Sequence, residues 1–267
     1  MTQSTISPAV LAEPRGSVLV LRLNRPDRMN AWSDAIEAAY FTKLDEADDD
    51  PEVRAVVVTG EGRAFCAGAD LDEMRERTAD PDIDPAVFDR PRPRTRPLEF
   101  RKPLIAAING AAAGVGLVQA LYCDIRFSKP TAKLTTAFAR RGLIAEYGTA
   151  WMLPRLVGQS RALDLLFSAR VVTAAEAARW GLVDELAEDP LEAAVAYAQD
   201  LATYCSPTSM AIIKGQVRRD TDRSFAESVA DADRLLRESL MGADIGEGVQ
   251  SYFEKRPPAF APLAPRE

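Results

Sequence analysis

One carboxylate in this sequence stands at the end of an apolar run, where it could transfer protons. Glu146 ends that run in RRGLIAEYGTAW, residues 140–151. A carboxyl group in apolar surroundings has a raised pKa, because desolvation disfavours its charged form. Such a group can accept a proton near neutral pH and return it. We interpret Glu146 as a catalytic acid/base; the alternatives are that it caps a helix beginning near residues 147–148 or pairs with Arg140 or Arg141.

Two turns of small residues could hold a negatively charged oxygen. The first lies in FCAGADLDEM, residues 65–74, between a predicted strand and a predicted helix. Its backbone is open to a ligand, and its N–H groups lie at the positive end of the helix. Asp70 and Glu73 have capping-box spacing, so Asp70 is predicted to be the N-cap rather than a catalyst. The residues of this turn are Ala67, Gly68, Ala69, Asp70 and Leu71.

The second turn lies in INGAAAGVGLVQALYCD, residues 108–124, and repeats the order of strand, turn and helix. It is not a dinucleotide fingerprint, because Gln119 stands where the GxGxxG spacing requires glycine. Tight packing alone could explain either turn. Together, however, one N–H group from each turn could converge on a single oxygen, and one such donor contributes roughly 3–4 kcal/mol to catalysis.

The 267-residue chain contains no histidine. Ser-His and Cys-His nucleophilic pairs, histidine-ligated zinc and every histidine general base are therefore excluded. The sequence has no CxxC pair either, so no metal site is predicted. Acid–base chemistry would have to come from Asp, Glu, Tyr, Lys, Cys or water.

The net charge of −7 argues against nucleic acid or an anionic membrane as the main partner. The 3 cysteines are odd in number and widely separated, which fits a reducing compartment. Residues 1–17 have no apolar signal core, and no run of about 20 apolar residues occurs. These features predict a cytoplasmic protein.

Strand and helix patterns alternate along most of the chain, which indicates an α/β fold. Buried or alternating runs predict strands in VLVLRLNRP (18–26), VRAVVVTGEG, LIAAING and DIRFS. Helical spacing follows Ser33, a predicted N-cap, and a short helix is predicted at 115–122. Thr173 and Glu176 have the spacing of a capping box at the start of a further helix.

From about residue 190 the pattern is helical only. We therefore predict a core at 1–190 and a C-terminal helical region at 191–267. Residues 79–97, ADPDIDPAVFDRPRPRTRP, contain five prolines among charged residues. Such a stretch is typical of a mobile surface loop and sometimes of an active-site lid.

The chain resembles the enoyl-CoA hydratase/isomerase (crotonase) superfamily over nearly its whole length. The resemblance is carried, in order and spacing, by LNRPDRMNAW, VVVTGEGRAFCAGADL, KPLIAAINGAAAGVGL, LPRLVG, TAAEAARWGLVDEL and EGVQSYFEKR. It implies a crotonase-like spiral of ββα units whose C-terminal helices form homotrimers or dimers of trimers. It also implies an acyl-CoA thioester as ligand, with coenzyme A as part of the substrate and no separate cofactor.

The resemblance assigns roles to individual residues. Ala69 and Val115 match the two oxyanion donors, although relatives often have glycine at the second position. Tyr147 and Trp151 are predicted to line the acyl pocket, unless they are plain core residues. The regions of Arg25 or Arg28 and of Lys255 or Arg256 match those that contact CoA phosphates in the family; the alternative is that these residues are ordinary surface charges. The full set of predicted substrate-binding residues is Arg28, Ala67, Gly68, Asp70, Leu71, Gly114, Tyr147, Trp151 and Lys255.

The sequence departs from the hydratase pattern at both glutamates that activate water. Their positions correspond here to Val118 and Phe138, and neither side chain can accept a proton. Glu146 instead occupies the position where some isomerase members carry their working acid. The favoured interpretation is therefore double-bond isomerisation of an acyl-CoA through an enolate. The alternatives are an enoyl-CoA hydratase that uses Glu146 or an acid such as Asp72 or Glu73, and a non-catalytic acyl-CoA-binding paralogue.

Overall fold

The computed structural model describes residues 8–79, 84, 86 and 89–266. Its β-strands form two sheets, and most strand pairs are parallel. The strands are β1 (Val10–Arg15), β2 (Val18–Leu23), β3 (Ala55–Gly60), β4 (Ala64–Cys66), β5 (Leu104–Ile108), β6 (Ala111–Ala113), β7 (Ile125–Ser128), β8 (Lys133–Thr135), β9 (Val172–Thr173) and β10 (Glu185–Leu186).

Strands and helices are interspersed along the chain up to β10, and beyond it the helices follow one another. Short 3₁₀ turns lie at Pro26–Arg28, Arg96–Glu99 and Ala139–Arg141. The α-helices are α1 (Asp34–Asp49), α2 (Leu71–Arg77), α3 (Val115–Leu121), α4 (Thr149–Val157), α5 (Gln159–Ser168), α6 (Ala174–Ala178), α7 (Pro190–Tyr204), α8 (Pro207–Asp220), α9 (Phe225–Leu240) and α10 (Ala243–Glu254).

The larger sheet has the strand order β1-β2-β3-β5-β7-β10 and is covered on both faces. Successive residues of a strand point to opposite faces. In β3, Val56 and Val58 belong to the cluster that includes the apolar face of α1, whereas Ala55 and Val57 pack with α7. Burial on both faces explains why the central strands read as continuous apolar runs.

The four predicted strands are β2, β3, β5 and β7, and they and the predicted helix starts are confirmed. The edge strand β1 and the short strands β4, β6, β8, β9 and β10 are not predicted from the sequence. Ser33 Oγ accepts a hydrogen bond from Ile36 N at 3.3 Å and so caps α1. Thr173 Oγ1 accepts one from Glu176 N at 3.2 Å at the start of α6. Strand β1 is absent from the sequence-based assignment because it is polar and contains Pro14. It tolerates that proline because it lies at the sheet edge and pairs only with β2.

The smaller sheet, in the order β4-β6-β8-β9, positions the two turns of small residues. The chain runs twice from a strand of the larger sheet through a strand of the smaller sheet into a helix, as β3-β4-α2 and as β5-β6-α3. Because β4 and β6 pair in parallel, the starts of α2 and α3 lie side by side. This is the expected spiral of ββα units in an α/β fold.

The helical region predicted beyond residue 190 is present. Helix α7 packs on the larger sheet through Ala194, Val195 and Ala198, while α8 is tied to the core by a salt bridge of 2.6 Å between Lys214 and Asp124. No side chain of α9 is buried. None of the helices in the described ranges is long and apolar enough to cross a membrane. The division at residue 190 stays a prediction.

Candidate active site

The two turns of small residues are in contact. Gly68 and Gly114 have φ of +105° and +48°, a backbone region that favours glycine. A Cβ atom added to Gly114 would lie 4.0 Å from the Gly68 Cα, and one added to Gly68 would lie 3.2 Å from the Ala113 carbonyl oxygen. A side chain at Gly68 would therefore crowd the second turn, whereas a Cβ atom at Gly114 would make an ordinary van der Waals contact with the first.

Both predicted oxyanion donors have free N–H groups among the described residues. The neighbouring Asp70 N–H donates to the Trp32 carbonyl at 3.0 Å, and the Gly114 N–H donates to a carbonyl of β8 at 3.1 Å. No hydrogen bond to another described residue is donated by the N–H of Ala69 or Val115. Each therefore remains available to a ligand at the start of a helix.

A cavity of about 570 Å³, including the part open to solvent, lies against these turns. Many of the predicted site residues line this cavity. Several further residues also line it, although no role at this site is predicted for them from the sequence. The predicted ones are Ala67, Gly68, Ala69, Leu71, Gly114, Val115, Glu146 and Tyr147. The further lining residues are Met74, Arg94, Ala137, Phe138, Arg141 and Leu143.

Glu146 is half-buried in this cavity, and its carboxylate makes no salt bridge or hydrogen bond within the described part of the chain. Burial raises the pKa of the Glu146 carboxyl, and the positive charge of Arg94 partly offsets that rise. Both alternative interpretations of Glu146 are wrong. Its backbone carbonyl, not its carboxylate, accepts hydrogen bonds from Thr149. Arg140 instead donates to the Ser168 carbonyl at 2.8 Å.

The two positions of the hydratase glutamates are apolar and buried. Phe138 lines the cavity and is 3% exposed. Val118 is 1% exposed and packs beneath it in a cluster with Tyr122. No water-activating carboxylate can come from these positions, so Glu146 is the acid that this cavity presents together with the two free N–H groups.

Arg94 enters the cavity wall from the proline-rich segment at 79–97, part of which lies outside the described residues. It forms a salt bridge with Glu37 of α1 and a hydrogen bond with the Tyr147 hydroxyl. The sequence signal for Arg94 is the alternation of arginines in DRPRPRTRP, and these arginines pair with acids of α1. That signal could not be read without knowing that the segment lies along α1.

Asp70 and Arg28 lie near the site but face each other rather than the cavity of 570 Å³. Asp70 caps α2 by accepting from Asp72 N at 3.1 Å, as predicted, and forms a salt bridge of 2.9 Å with Arg25. It lines only an adjoining recess. Arg28 pairs with Asp72 and is 46% exposed. Its predicted role toward CoA phosphate stays a prediction.

Trp151 and Lys255 do not line the cavity. Trp151 is 44% exposed on α4, with the Arg155 guanidinium 3.8 Å from its ring centroid, so it is not a core residue. Its place in the acyl pocket stays a prediction. Lys255 is an exposed residue with φ of +54° at the end of α10. Its contact with CoA stays a prediction.

The chain is similar to a known family and to solved structures over nearly its whole length. The enoyl-CoA hydratase/isomerase family matches residues 13–262. A 1,2-epoxyphenylacetyl-CoA isomerase from Escherichia coli (strain K12) is 34% identical, and the match covers 94% of this chain and 97% of that protein. An enoyl-CoA hydratase structure from Polaromonas sp. JS666 has a TM-score of 0.88 at 29% identity and covers 94% of this chain and 99% of its own. One from Mycobacterium tuberculosis H37Rv has a TM-score of 0.85 at 28% identity, with 96% and 99% covered. On its sequence and its fold, the chain belongs to the enoyl-CoA hydratase/isomerase family.

Proposed function

We propose that the protein is an isomerase that moves a carbon–carbon double bond in an acyl-CoA thioester. The observation that carries this proposal is the unpaired carboxylate of Glu146 in the same cavity as the free N–H groups of Ala69 and Val115. An E. coli relative is itself named as an isomerase of a CoA ester.

The chemistry needs one proton carrier and one oxyanion site. The ionised Glu146 removes a proton from a carbon of the acyl group, and the electrons move into the thioester carbonyl to form an enolate. The two N–H groups donate to that oxygen, which gains negative charge in the transition state. Glu146 then returns the proton to a different carbon, so the enzyme ends the cycle unchanged. Its raised pKa suits both transfers.

Hydration of a 2-enoyl-CoA is the second candidate, favoured by the solved structures named as enoyl-CoA hydratases. Water addition needs a base for the water and an acid for the α-carbon. In this cavity Phe138 occupies one of the positions where that pair would lie. Hydration would require Glu146 to act with a second acid such as Glu73, which lines the adjoining recess.

The remaining proposals concern the ligand, the assembly and the location. The acyl-CoA thioester would bring its own coenzyme A, with Arg28 and Lys255 as candidate partners for its phosphates. The assembly would be a homotrimer or a dimer of trimers, formed through the C-terminal helices. A cytoplasmic location is supported by three cysteines that form no disulfide.

The test is proton NMR of the purified protein with a 3-enoyl-CoA in deuterated water. Migration of the double bond, with or without deuterium gained by the product, supports the isomerase. Hydration of a 2-enoyl-CoA without any migration in a 3-enoyl-CoA would replace it with the hydratase. Tight binding of both esters without turnover of either would mean a binding protein.

A further inference from the structure

Arg94 is a charged side chain in the wall of a mainly apolar cavity, and it is only 10% exposed. Its charge is balanced by Glu37, whose side chain is 8% exposed. The same Glu37 oxygen accepts a hydrogen bond of 2.8 Å from Trp32 Nε1. Gln119 of α3 donates to the Arg94 carbonyl at 3.3 Å, so the backbone of this residue is held as well.

From this position Arg94 holds the residue that follows Glu146. Its guanidinium donates to the Tyr147 hydroxyl and lies 4.9 Å from the centroid of the Tyr147 ring. At the other end of that residue, the Tyr122 hydroxyl donates to the Tyr147 carbonyl at 2.7 Å. Tyr147 has a φ of +54°, an unfavourable backbone conformation for a bulky residue that such contacts can maintain.

We propose that Arg94 is a positioning residue: through Tyr147 it holds the Glu146 carboxyl in the cavity, and its positive charge favours the ionised form of that carboxyl. The inference rests on the proposed function, because it concerns the acid/base of that reaction. A buried salt bridge costs desolvation energy and is weak evidence for stability. A role in placing Glu146 explains its presence in the cavity wall.

The charges around Glu146 support an electrostatic role for Arg94. Burial raises the pKa of the Glu146 carboxyl, and Arg94 is the charged group that lowers it. The other charged side chains that line the cavity or its adjoining recess are Arg141, Asp70, Glu73, Arg77 and Arg90. Three of them are engaged elsewhere, since Asp70 pairs with Arg25 and both Arg77 and Arg90 pair with Asp34.

The sign of the effect follows from these charges. The base form of Glu146 is ionised, so activity is lost as the pH falls through its pKa. Removing the Arg94 cation lets burial raise that pKa further. The acidic limb of the kcat–pH profile should therefore move to higher pH.

The decisive comparison uses Arg94→Gln, Arg94→Lys and Arg92→Gln. Arg92 is the matched control: it lies in the same segment, forms a salt bridge of 2.9 Å with Asp45, and does not line the cavity. Arg94→Gln should lower kcat by about tenfold or more with a smaller change in KM, since misplaced reacting groups are costly. The acidic limb of the kcat–pH profile of this variant should move to higher pH. Arg94→Lys should keep the acidic limb near that of the wild type but recover only part of kcat. Arg92→Gln should stay within about twofold of the wild type.

A second readout needs no turnover. The ¹³Cδ signal of Glu146, identified by its absence in Glu146→Gln, should titrate at higher pH in Arg94→Gln than in the wild type. If the wild type binds acyl-CoA without moving a double bond, the proposed function fails, and this titration still decides whether Arg94 acts on Glu146. An unchanged titration and acidic limb in folded Arg94→Gln would overturn the proposal. The proposal would also be overturned if the loss of kcat in Arg94→Gln equals the loss of folded protein measured by circular dichroism.

Discussion

Among the described residues, the half-buried Glu146 differs from the buried acids Glu37, Asp48 and Asp70 because no arginine pairs with it. Asp48 is bound by Arg101 and Arg266, and Asp70 is bound by Arg25. Burial would raise the pKa of both aspartates, but their arginines outweigh it and the pKa of each is lowered. The pKa of Glu146 is raised. Unpaired, half-buried carboxyls of this kind occur at sites of proton transfer.

The first prediction concerns Glu146→Gln. The variant keeps the shape of the side chain but cannot take a proton, so kcat for the isomerisation should fall by at least about a hundredfold. KM should change little, and the assay is the NMR experiment with a 3-enoyl-CoA. Glu46→Gln is the control, because Glu46 forms an exposed pair with Lys43 on α1. If Glu146→Gln turns over within about threefold of the wild type, another group carries the proton.

At the level of elements, the start of α3 is placed by its contact with β4. A Cβ atom added to Gly116 would lie 2.4 Å from the Cys66 carbonyl oxygen and 2.6 Å from the Cys66 Cβ. The helix can thus lie against the strand only if this position has no side chain. Burial raises the pKa of the Cys66 thiol to about 12, so Cys66 serves this packing as a neutral group. The approach brings the Val115 N–H beside the first turn.

Val115→Pro tests that N–H group directly. Val115 is the first residue of α3, a position where proline is tolerated because its N–H has no partner in the helix. The substitution removes the donor and should lower kcat by roughly a hundredfold or more. Val115→Ala keeps the N–H and should retain most of the activity. Equal activity of the two variants would show that this N–H does not hold the oxyanion.

Gly116→Ala tests the packing. The added methyl group forces α3 away from β4 and should cost about 1–3 kcal/mol of the free energy of unfolding, measured in urea. Gly246 in α10 provides the comparison, since a Cβ atom added there would meet nothing within 4 Å. Gly246→Ala should be neutral or stabilising by up to about 1 kcal/mol, because alanine favours helix. A Gly116→Ala protein as stable as the wild type would mean that the contact relaxes freely.

On the scale of the whole molecule, the C-terminal helices carry many exposed apolar side chains. Large exposed apolar patches mark interfaces in soluble proteins. Phe225 is 86% exposed and Phe253 is 78% exposed. This surface supports the proposed homo-oligomer. Its larger side chains are Ile213, Val217, Phe225, Val229, Leu236, Leu240, Met241, Ile245, Val249, Tyr252 and Phe253.

Sedimentation equilibrium should give three or six times the mass of the chain. Phe253→Glu places a charge in the apolar surface and should shift the protein toward monomer, since burying an unpaired charge is costly. Ser160→Glu adds the same charge at an exposed position of α5 and should leave the mass unchanged. A wild-type protein that sediments as a monomer at micromolar concentration would contradict the proposed assembly.

Much of the framework is predictable from the sequence because it depends on neighbours in the chain. The N-caps at Ser33, Asp70 and Thr173 follow from side chains that bond to the backbone two or three residues further on. The buried strands follow from continuous apolar runs. Strand β1 escaped prediction because its polar residues and Pro14 are acceptable only at the edge of a sheet. Strands β4, β6, β8, β9 and β10 escaped because two or three residues are too few to show a periodic pattern.

The candidate site also has a part that the sequence predicts and a part that only the tertiary structure shows. The two turns and Glu146 can be assigned from the sequence, since residue type and order carry their chemistry. Only the tertiary structure shows that Glu146 has no partner among the described residues and that Trp151 lies on the surface. It alone also shows that Arg94 bridges Glu37 and Tyr147, which are 57 and 53 residues away from it. Such contacts depend on how distant segments pack against each other, and local patterns of sequence do not specify that packing.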